Sequence, residues 1–208
     1  MTDTFEWTVN LIVIGGMLYL SFVMALAGWV ASLRRGEAVT LLPIAGSRST
    51  VIAAQLGLIV VGLVLFILLM LWLWVPLPLR PAAALPWLKA GGLALFVGGA
   101  AFIIWARQTL GRMWGISTSR EVKLLPNHQL ITAGPYGLVR HPMYCGWWLA
   151  VLGLLLIYWT WILALLLVMS LVVFYRRARL EEKVLAARFG PEWQRYVSRS
   201  KFMFPFIW

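Results

Sequence analysis

The chain is poor in charge. Charged residues make up 12% of its 208 residues, whereas hydrophobic residues make up 62% and the mean hydropathy is +0.86. A soluble domain is typically about 25% charged and about 45–50% apolar. Disordered chains have low hydrophobicity instead. The composition therefore excludes both an ordinary soluble domain and a disordered chain, and it predicts an integral membrane protein.

Residues that commonly carry chemistry are scarce too. Cys145 is the single cysteine, so the chain has no internal disulfide, and Asp3 is the single aspartate, so it has no aspartate dyad. We expect Cys145 to be a small core residue, because nothing in the sequence activates it as a nucleophile. With His128 and His141 it shows no standard zinc-ligand spacing, so we predict no metal site. Glycine-rich nucleotide motifs and the nucleophile elbow are absent.

Long hydrophobic runs are present. The runs at about 8–33, 51–75 and 87–105 are each long enough for a membrane-spanning helix. Paired glycines in the third run permit close helix contact. A fourth stretch, 143–174, holds 32 residues without a charge. It predicts a hairpin of two short or tilted helices that turns near 158–161, with one long tilted helix as the alternative.

A charged helix follows the fourth stretch. Leu180, Val184 and Ala187 recur at helical spacing, and Gly190 followed by Pro191 is a stop signal. The last helix should therefore leave the membrane as a single rod that ends near Phe189. We predict an all-α integral membrane protein with about five transmembrane helices, the last two a hairpin and the final one extending into the cytosol.

The predicted organisation divides at the end of the third run. Residues 1–106 hold three transmembrane helices, and residues 107–208 hold a polar loop, the hairpin, and a C-terminal cytosolic helix and tail. We expect both parts to form one structural unit.

Basic residues predict the orientation. Lys and Arg number 18 against 7 Asp and Glu, a net charge of +11, and they gather in the first loop, in 107–140 and in the C-terminal tail. The flank before the first hydrophobic run carries two acidic residues, Asp3 and Glu6, and no Lys or Arg. The positive-inside rule then places the N-terminus outside and the C-terminus in the cytosol, and we expect a bacterial plasma membrane. Membrane lipids explain these bases, so nucleic acid is not an expected partner. The oligomeric state stays open.

Polar groups flank the predicted hairpin. His128 and His141 bound the segment that precedes it, and the Glu181–Glu182 pair follows it. A hairpin returns the chain to the same side of the membrane, so these segments should meet. Ionisable groups beside a membrane are costly and mark candidate sites.

Two structural interpretations stay open for the same residues. Arg140 can be a positive-inside arginine, with Pro142 at the first position of a helix. The two glutamates can belong to a solvated helix face, paired with arginines three and four residues before them.

Three motifs together carry a family resemblance. They are GPYGLVRHPMYCG at 134–146, the Glu181–Glu182 pair, and FGPEWQRY at 189–196. The sequence over about 110–196 resembles the isoprenylcysteine carboxyl methyltransferase family, within a wider superfamily that includes membrane phospholipid methyltransferases. The resemblance implies a membrane enzyme that uses S-adenosylmethionine, bound between this loop and the final helix.

The resemblance also implies site residues. Arg140 or His141 can hold the cofactor carboxylate, Glu181 or Glu182 its ammonium or ribose hydroxyls, and two tyrosines its adenine or sulfonium. The catalytic candidates are Arg140, Glu181 and Glu182. The candidate cofactor-binding residues are His128, Leu130, Gly134, Pro135, Tyr136, Arg140, His141, Pro142, Tyr144, Glu181 and Glu182.

The acceptor should be a lipophilic small molecule or a lipidated group. A prenylcysteine-like carboxylate, a lipid amine and a hydrophobic thiol all fit. Two other functions stay open, namely an NADPH-dependent enzyme like the membrane sterol and steroid reductases and a non-catalytic lipid-binding membrane protein.

Overall fold

The fold is helical over the part of the chain that the structure describes. A computed structural model describes residues 2–20, 47–72, 74–78, 85–114, 124 and 127–204. The helices are α1 (Thr2–Leu18), α2 (Arg48–Trp72), α3 (Leu85–Leu110), α4 (Pro142–Tyr158), α5 (Trp161–Phe189) and α6 (Pro191–Val197). Short 3-10 helices cover Gly111–Met113 and Gly134–Gly137. Within these ranges no β-strand occurs, which confirms the predicted all-α class.

Membrane-spanning length is clear for two of the described helices. By length and composition, α3 and α5 can each cross a membrane. Three further apolar stretches are shorter, at Thr4–Leu18, Ser49–Gly62 and Pro142–Tyr158. The count of five spanning helices therefore stays a prediction, as do the orientation and the division near residue 106. The second half of the first predicted run, 21–33, lies outside the described residues.

The predicted hairpin is confirmed. Between α4 and α5 the chain turns at Trp159, which adopts a left-handed conformation with φ 51° and ψ 58°. Its backbone N–H donates a hydrogen bond of 2.8 Å to the Leu155 carbonyl. A left-handed residue just past the last turn ends a helix, because the chain can no longer continue the helical ladder. The alternative of one long tilted helix is wrong.

The rod-like end of the last helix is confirmed as well. α5 runs without a break to Phe189, and Gly190 then takes a φ of 50°. Glycine adopts this positive φ without a Cβ clash. Pro191 starts α6 at a position where the missing proline N–H costs nothing.

The turn of the hairpin is held by the segment at 74–78. The Leu77 N–H donates to the Trp159 carbonyl at 2.9 Å, and the Trp161 N–H donates to the Val75 carbonyl at 3.0 Å. The Trp74 and Tyr158 rings meet edge to face with centroids 5.4 Å apart. These contacts close one end of the bundle.

Glycines bring α3 and α4 into backbone contact. Gly92 lies opposite Gly153 and Gly99 opposite Gly146, so the two helices run antiparallel. A Cβ at Gly99 would lie 2.5 Å from the Gly146 carbonyl oxygen. Small residues at a membrane helix interface permit this approach. The first glycine of each predicted pair, by contrast, faces open space, so one glycine per pair makes the expected contact.

Two apolar clusters fix the hairpin in place. The larger one joins α1, α3, α4 and α5, and its buried members are Val9, Val13, Phe96, Ala150, Leu154, Ile157, Ile162 and Leu163. The smaller one joins the hairpin to the C-terminal tail through Cys145, Ala178 and Met203. Cys145 is 3% exposed, which confirms its place in the core.

Candidate functional site

The turn before α4 is rigidly placed. Gly134 opens it with a φ of 57°, and a Cβ there would lie 3.1 Å from the Thr109 Oγ1. Pro135 and Tyr136, the next two residues of the turn, are buried. The buried Tyr196 hydroxyl donates a hydrogen bond of 2.8 Å to the Tyr136 carbonyl, and burial raises the pKa of Tyr196 to about 12. The hydroxyl therefore stays a donor, and it ties α6 to the turn.

The C-terminal tail pairs with the same loop. The Arg140 N–H donates to the Lys201 carbonyl at 2.8 Å, and the Lys201 N–H donates to the Leu138 carbonyl at 3.1 Å. This short parallel bridge is a contact between segments about sixty residues apart. It holds the backbone of Arg140 against the C-terminal tail.

Arg140 and Glu182 form the buried ion pair of the site. The Arg140 Nε donates to the Glu182 Oε1 at 2.6 Å, and its Nη1 donates to the Ser200 carbonyl at 2.6 Å. The second carboxylate oxygen of Glu182 accepts from the Arg179 Nη1 at 3.4 Å. Charge-assisted hydrogen bonds of this kind are short and strong. Both partners are thereby fixed in orientation.

Glu181 is held by a separate set of partners. Its Oε1 accepts from the Tyr144 hydroxyl at 2.7 Å and from the Arg177 Nε at 3.0 Å. Its Oε2 lies 3.6 Å from the His141 Nδ1. One oxygen of Glu181 is thus fully engaged by donors, while the other faces the histidine.

His141 lies between the two glutamates. Its Nε2 is 3.5 Å from the Glu182 Oε1 but makes no hydrogen bond among the described residues. Burial lowers the pKa of His141, but the Glu181 and Glu182 carboxylates raise it by more, so the pKa lies above its ordinary value. The ring stacks on Tyr144 at 5.6 Å and meets the edge of Phe202 at 5.2 Å. The surroundings favour a protonated, fixed imidazolium.

A cavity of about 290 Å³ opens between the loop, the end of α3, the charged part of α5, and α6. Its wall includes most of the residues that the sequence singled out: His128, Leu130, Tyr136, Arg140, His141, Pro142, Tyr144 and Glu181.

Three singled-out residues do not line this cavity. Gly134 and Pro135 form the turn beside it, and Glu182 lies behind Arg140, 9% exposed. A direct role for Glu182 stays a prediction, and its contacts make it a residue that positions Arg140.

His128 presents a polar atom without a partner. Its Nδ1 is buried and makes no hydrogen bond within the described part of the chain. Burial also lowers the pKa of His128, which favours the neutral ring. Buried polar atoms are nearly always hydrogen-bonded, so an exception in a cavity wall suggests capacity kept for a ligand.

Further cavity residues lay outside the sequence prediction. Arg177, Trp193 and Tyr196 line the wall, as do Met113 and Trp114, which follow α3. Trp193 and Tyr196 belong to the FGPEWQRY motif at 189–196, so the sequence does contain a signal for them. Arg177 is the arginine four residues before Glu181, and the sequence indicates only that helix pairing for it.

Comparison with known proteins agrees with the resemblance that the motifs carry. The family model of isoprenylcysteine carboxyl methyltransferase (ICMT) matches residues 92–187. The match covers just under half of the chain, and over those residues the chain is similar to the ICMT family. The match confirms the resemblance that the sequence motifs indicated. It begins at the first interface glycine of α3, includes the loop and the hairpin, and ends within α5.

Two relatives extend this finding. The cobalt-zinc-cadmium resistance protein CzcN of Cupriavidus metallidurans is 33% identical over 98 residues, which is 47% of this chain and 44% of that protein. The chain therefore matches less than half the length of this relative. The solved structure of the eukaryotic intramembrane Ras methyltransferase ICMT superposes with a TM-score of 0.57 at 24% identity, covering 96% of this chain and 74% of that chain. The segment that matches the ICMT family thus lies in a fold similar to that of this intramembrane enzyme.

Proposed function

We propose that the protein transfers a methyl group from S-adenosylmethionine to a lipophilic acceptor at the membrane. The observation that carries this proposal is the convergence of Arg140, His141, Tyr144 and Glu181 on one cavity. Three of them lie in the loop and the first turn of α4, and Glu181 lies on α5, all within the segment that matches the ICMT family.

The residues of the cavity fit this cofactor. S-adenosylmethionine carries a carboxylate, an ammonium, a sulfonium, a ribose diol and an adenine ring. The wall offers the guanidinium groups of Arg140 and Arg177, the carboxylate of Glu181 and the ring of Tyr136. The unpartnered His128 Nδ1 adds a hydrogen-bonding atom. Ligand cavities range from about 300 to 1,000 Å³, so this one lies near the lower bound.

We assign roles by charge. The guanidinium of Arg140 or Arg177 would hold the carboxylate of the cofactor, and Glu181 would hold its ammonium or ribose hydroxyls. The tyrosine rings would contact the adenine or the sulfonium. Glu182 would act indirectly, because it anchors the Arg140 guanidinium at 2.6 Å without lining the cavity.

When bound, S-adenosylmethionine supplies an electrophilic methyl group for an in-line displacement. The chain contributes positioning and exclusion of water. The buried Trp193 and Tyr196 close the wall contributed by α6. A carboxylate or thiolate acceptor needs no base from the protein. An amine acceptor must lose a proton, and the Glu181 carboxylate is the cavity group that would take it.

The acceptor would reach the site from the bilayer. Two helices of the fold, α3 and α5, are long and apolar enough to cross a membrane. Prenylcysteine-like carboxylates, lipid amines and hydrophobic thiols are the acceptor classes included in the proposal. We also propose that the N-terminus lies outside, that the C-terminus lies in the cytosol, and that the membrane is a bacterial plasma membrane.

A binding titration tests the cofactor. Isothermal titration of the purified full chain in detergent with S-adenosylhomocysteine should give one site, weakened by Glu181→Gln and by His141→Ala. Lys183→Gln is the matched control, because Lys183 is exposed on the same helix and does not line the cavity. No binding by the wild-type chain would sink the proposal.

The rival functions give different results. A cofactor raises the melting temperature by mass action, so NADPH would stabilise a reductase and S-adenosylhomocysteine a methyltransferase. A non-catalytic lipid-binding protein would respond to neither. Transfer of labelled methyl from S-adenosylmethionine into a lipid extract would then identify the acceptor.

A further inference from the structure

A second cavity lies on the other side of Arg140. It is a groove of about 920 Å³ between the middle of α5 and the tail at 197–204, which we call the tail groove. Four bases line it, namely Arg140, Arg179, Arg199 and Lys201, and no acid does so among the described residues. Glu182 contacts two of these bases from behind. The lining of the groove therefore keeps an excess of positive charge.

An aromatic ring organises the bases. The Phe202 ring has the Arg179 guanidinium 5.0 Å from its centroid and the Arg140 guanidinium 5.6 Å from it. Arg179 also lies 5.3 Å from the Tyr175 ring. Cation–π contacts hold guanidinium groups in place without neutralising them. Arg199 and Lys201 are exposed and form no ion pair within the described residues.

The groove is amphipathic along its length. Leu171, Met203 and Phe204 line it together with the bases. Leu171 belongs to the apolar part of α5, a helix able to cross a membrane, and Arg179 belongs to its charged continuation. The groove thus extends across the level at which α5 changes from apolar to basic. A molecule that fills it needs an anionic head and an apolar body.

We propose that the tail groove binds an anionic phospholipid. The phosphate would lie among Arg179, Arg199 and Lys201, and an acyl chain would lie along Leu171 and Phe204. A zwitterionic lipid would bind less well, because its ammonium would be repelled by the same bases. The proposal concerns a site apart from the proposed methyl-transfer cavity and does not depend on that activity.

Lipid counting tests the proposal. Native mass spectrometry of the full chain in neutral detergent would be run with phosphatidylglycerol and with phosphatidylcholine of the same acyl chains. We expect one phosphatidylglycerol to bind in preference to phosphatidylcholine. Each base near an anionic headgroup contributes about fivefold to binding, so Arg199→Gln with Lys201→Gln should weaken phosphatidylglycerol by roughly 25-fold.

A matched double variant controls for net charge. Lys183→Gln with Arg195→Gln removes two exposed bases that do not line the groove, and it should keep wild-type lipid binding. Equal losses in both double variants would mean diffuse surface attraction and would overturn the proposal. Displacement of phosphatidylglycerol by an equal concentration of inorganic phosphate would overturn it too, since the site would then recognise free phosphate. Thermal unfolding of each variant would check that it folds.

The same samples separate this proposal from the methyltransferase one. Arg199 and Lys201 do not line the first cavity, so S-adenosylhomocysteine should bind the groove variant as it binds the wild type. A wild-type chain that prefers phosphatidylglycerol but does not bind S-adenosylhomocysteine would count against the methyltransferase proposal alone.

Discussion

The Arg140 Nε donates a hydrogen bond of 2.6 Å to the Glu182 Oε1, and this contact joins the loop before the hairpin to the helix after it. The arginine and glutamate side chains are 10% and 11% exposed. Because burial keeps water away from both groups, each charged group is stabilised by its partner. The pair therefore links the fold to the geometry of the cavity.

Removal of one partner should destabilise the protein. Glu182→Ala leaves the Arg140 guanidinium buried without its main counter-charge, which costs about 3 kcal/mol in the free energy of unfolding. Denaturant unfolding in mixed micelles measures this. The double variant Arg140→Gln with Glu182→Gln should recover part of the loss. A single-variant loss below about 1 kcal/mol, typical of exposed pairs, would contradict a buried pair.

The two histidines should make the free energy of unfolding depend on pH in opposite directions. The pKa of His141 is raised in the fold, so its contribution is fully present below about pH 6.5 and is lost as the pH rises through the folded value. The pKa of His128 is lowered by burial, so its contribution is lost as the pH falls below about 6.5. Unfolding free energies of His141→Gln and His128→Gln across pH 5–9 check both signs. If a variant keeps the pH profile of the wild type, the replaced histidine does not contribute to the pH dependence of stability.

The glycine contact between α3 and α4 should tolerate no added methyl group. Gly99→Ala places a Cβ 2.5 Å from the Gly146 carbonyl oxygen and 2.6 Å from the Ala150 nitrogen, so the helices must separate. Overpacking of this kind costs about 1–3 kcal/mol. Gly98→Ala is the control, because nothing lies within 4 Å of its added Cβ. Equal melting temperatures for the two variants would disprove the close contact.

The Tyr144 hydroxyl should matter for the proposed cofactor. Tyr144→Phe keeps the stacking on His141 and Phe174 but removes the 2.7 Å hydrogen bond to Glu181. A hydrogen bond to a charged group contributes about 1.5 kcal/mol or more, so S-adenosylhomocysteine should bind roughly tenfold more weakly. Calorimetric titration measures the affinity. Tyr158→Phe, which removes a hydroxyl bonded to Asn10 at the other end of α4, should leave it unchanged.

Several features were predictable because they depend on local physics. The uncharged stretch at 143–174 is too long for one straight span, and the chain does turn there, at Trp159. Gly190 followed by Pro191 is a strong local stop signal for a helix, and α5 ends at Phe189. The meeting of the 128–148 segment with Glu181 also followed, because a hairpin must return the chain to its starting side.

Other features depend on contacts between distant segments. Glu181 faces the cavity and Glu182 does not, since neighbouring helix residues point about 100° apart and only packing decides which one turns inward. The pairing of Lys201 with Leu138 and Arg140 joins segments that share no sequence pattern. The tail that this pairing holds forms one wall of the tail groove.

Composition and the length of its apolar runs by themselves determined that this chain is helical, belongs in a membrane, and concentrates its few polar groups around one hairpin. These properties follow from the cost of placing charge and unpaired backbone in hydrocarbon, which each segment meets individually. Tertiary structure alone decided which glycines touch, which glutamate lines the cavity, and which bases share a groove, because those outcomes depend on the register between segments.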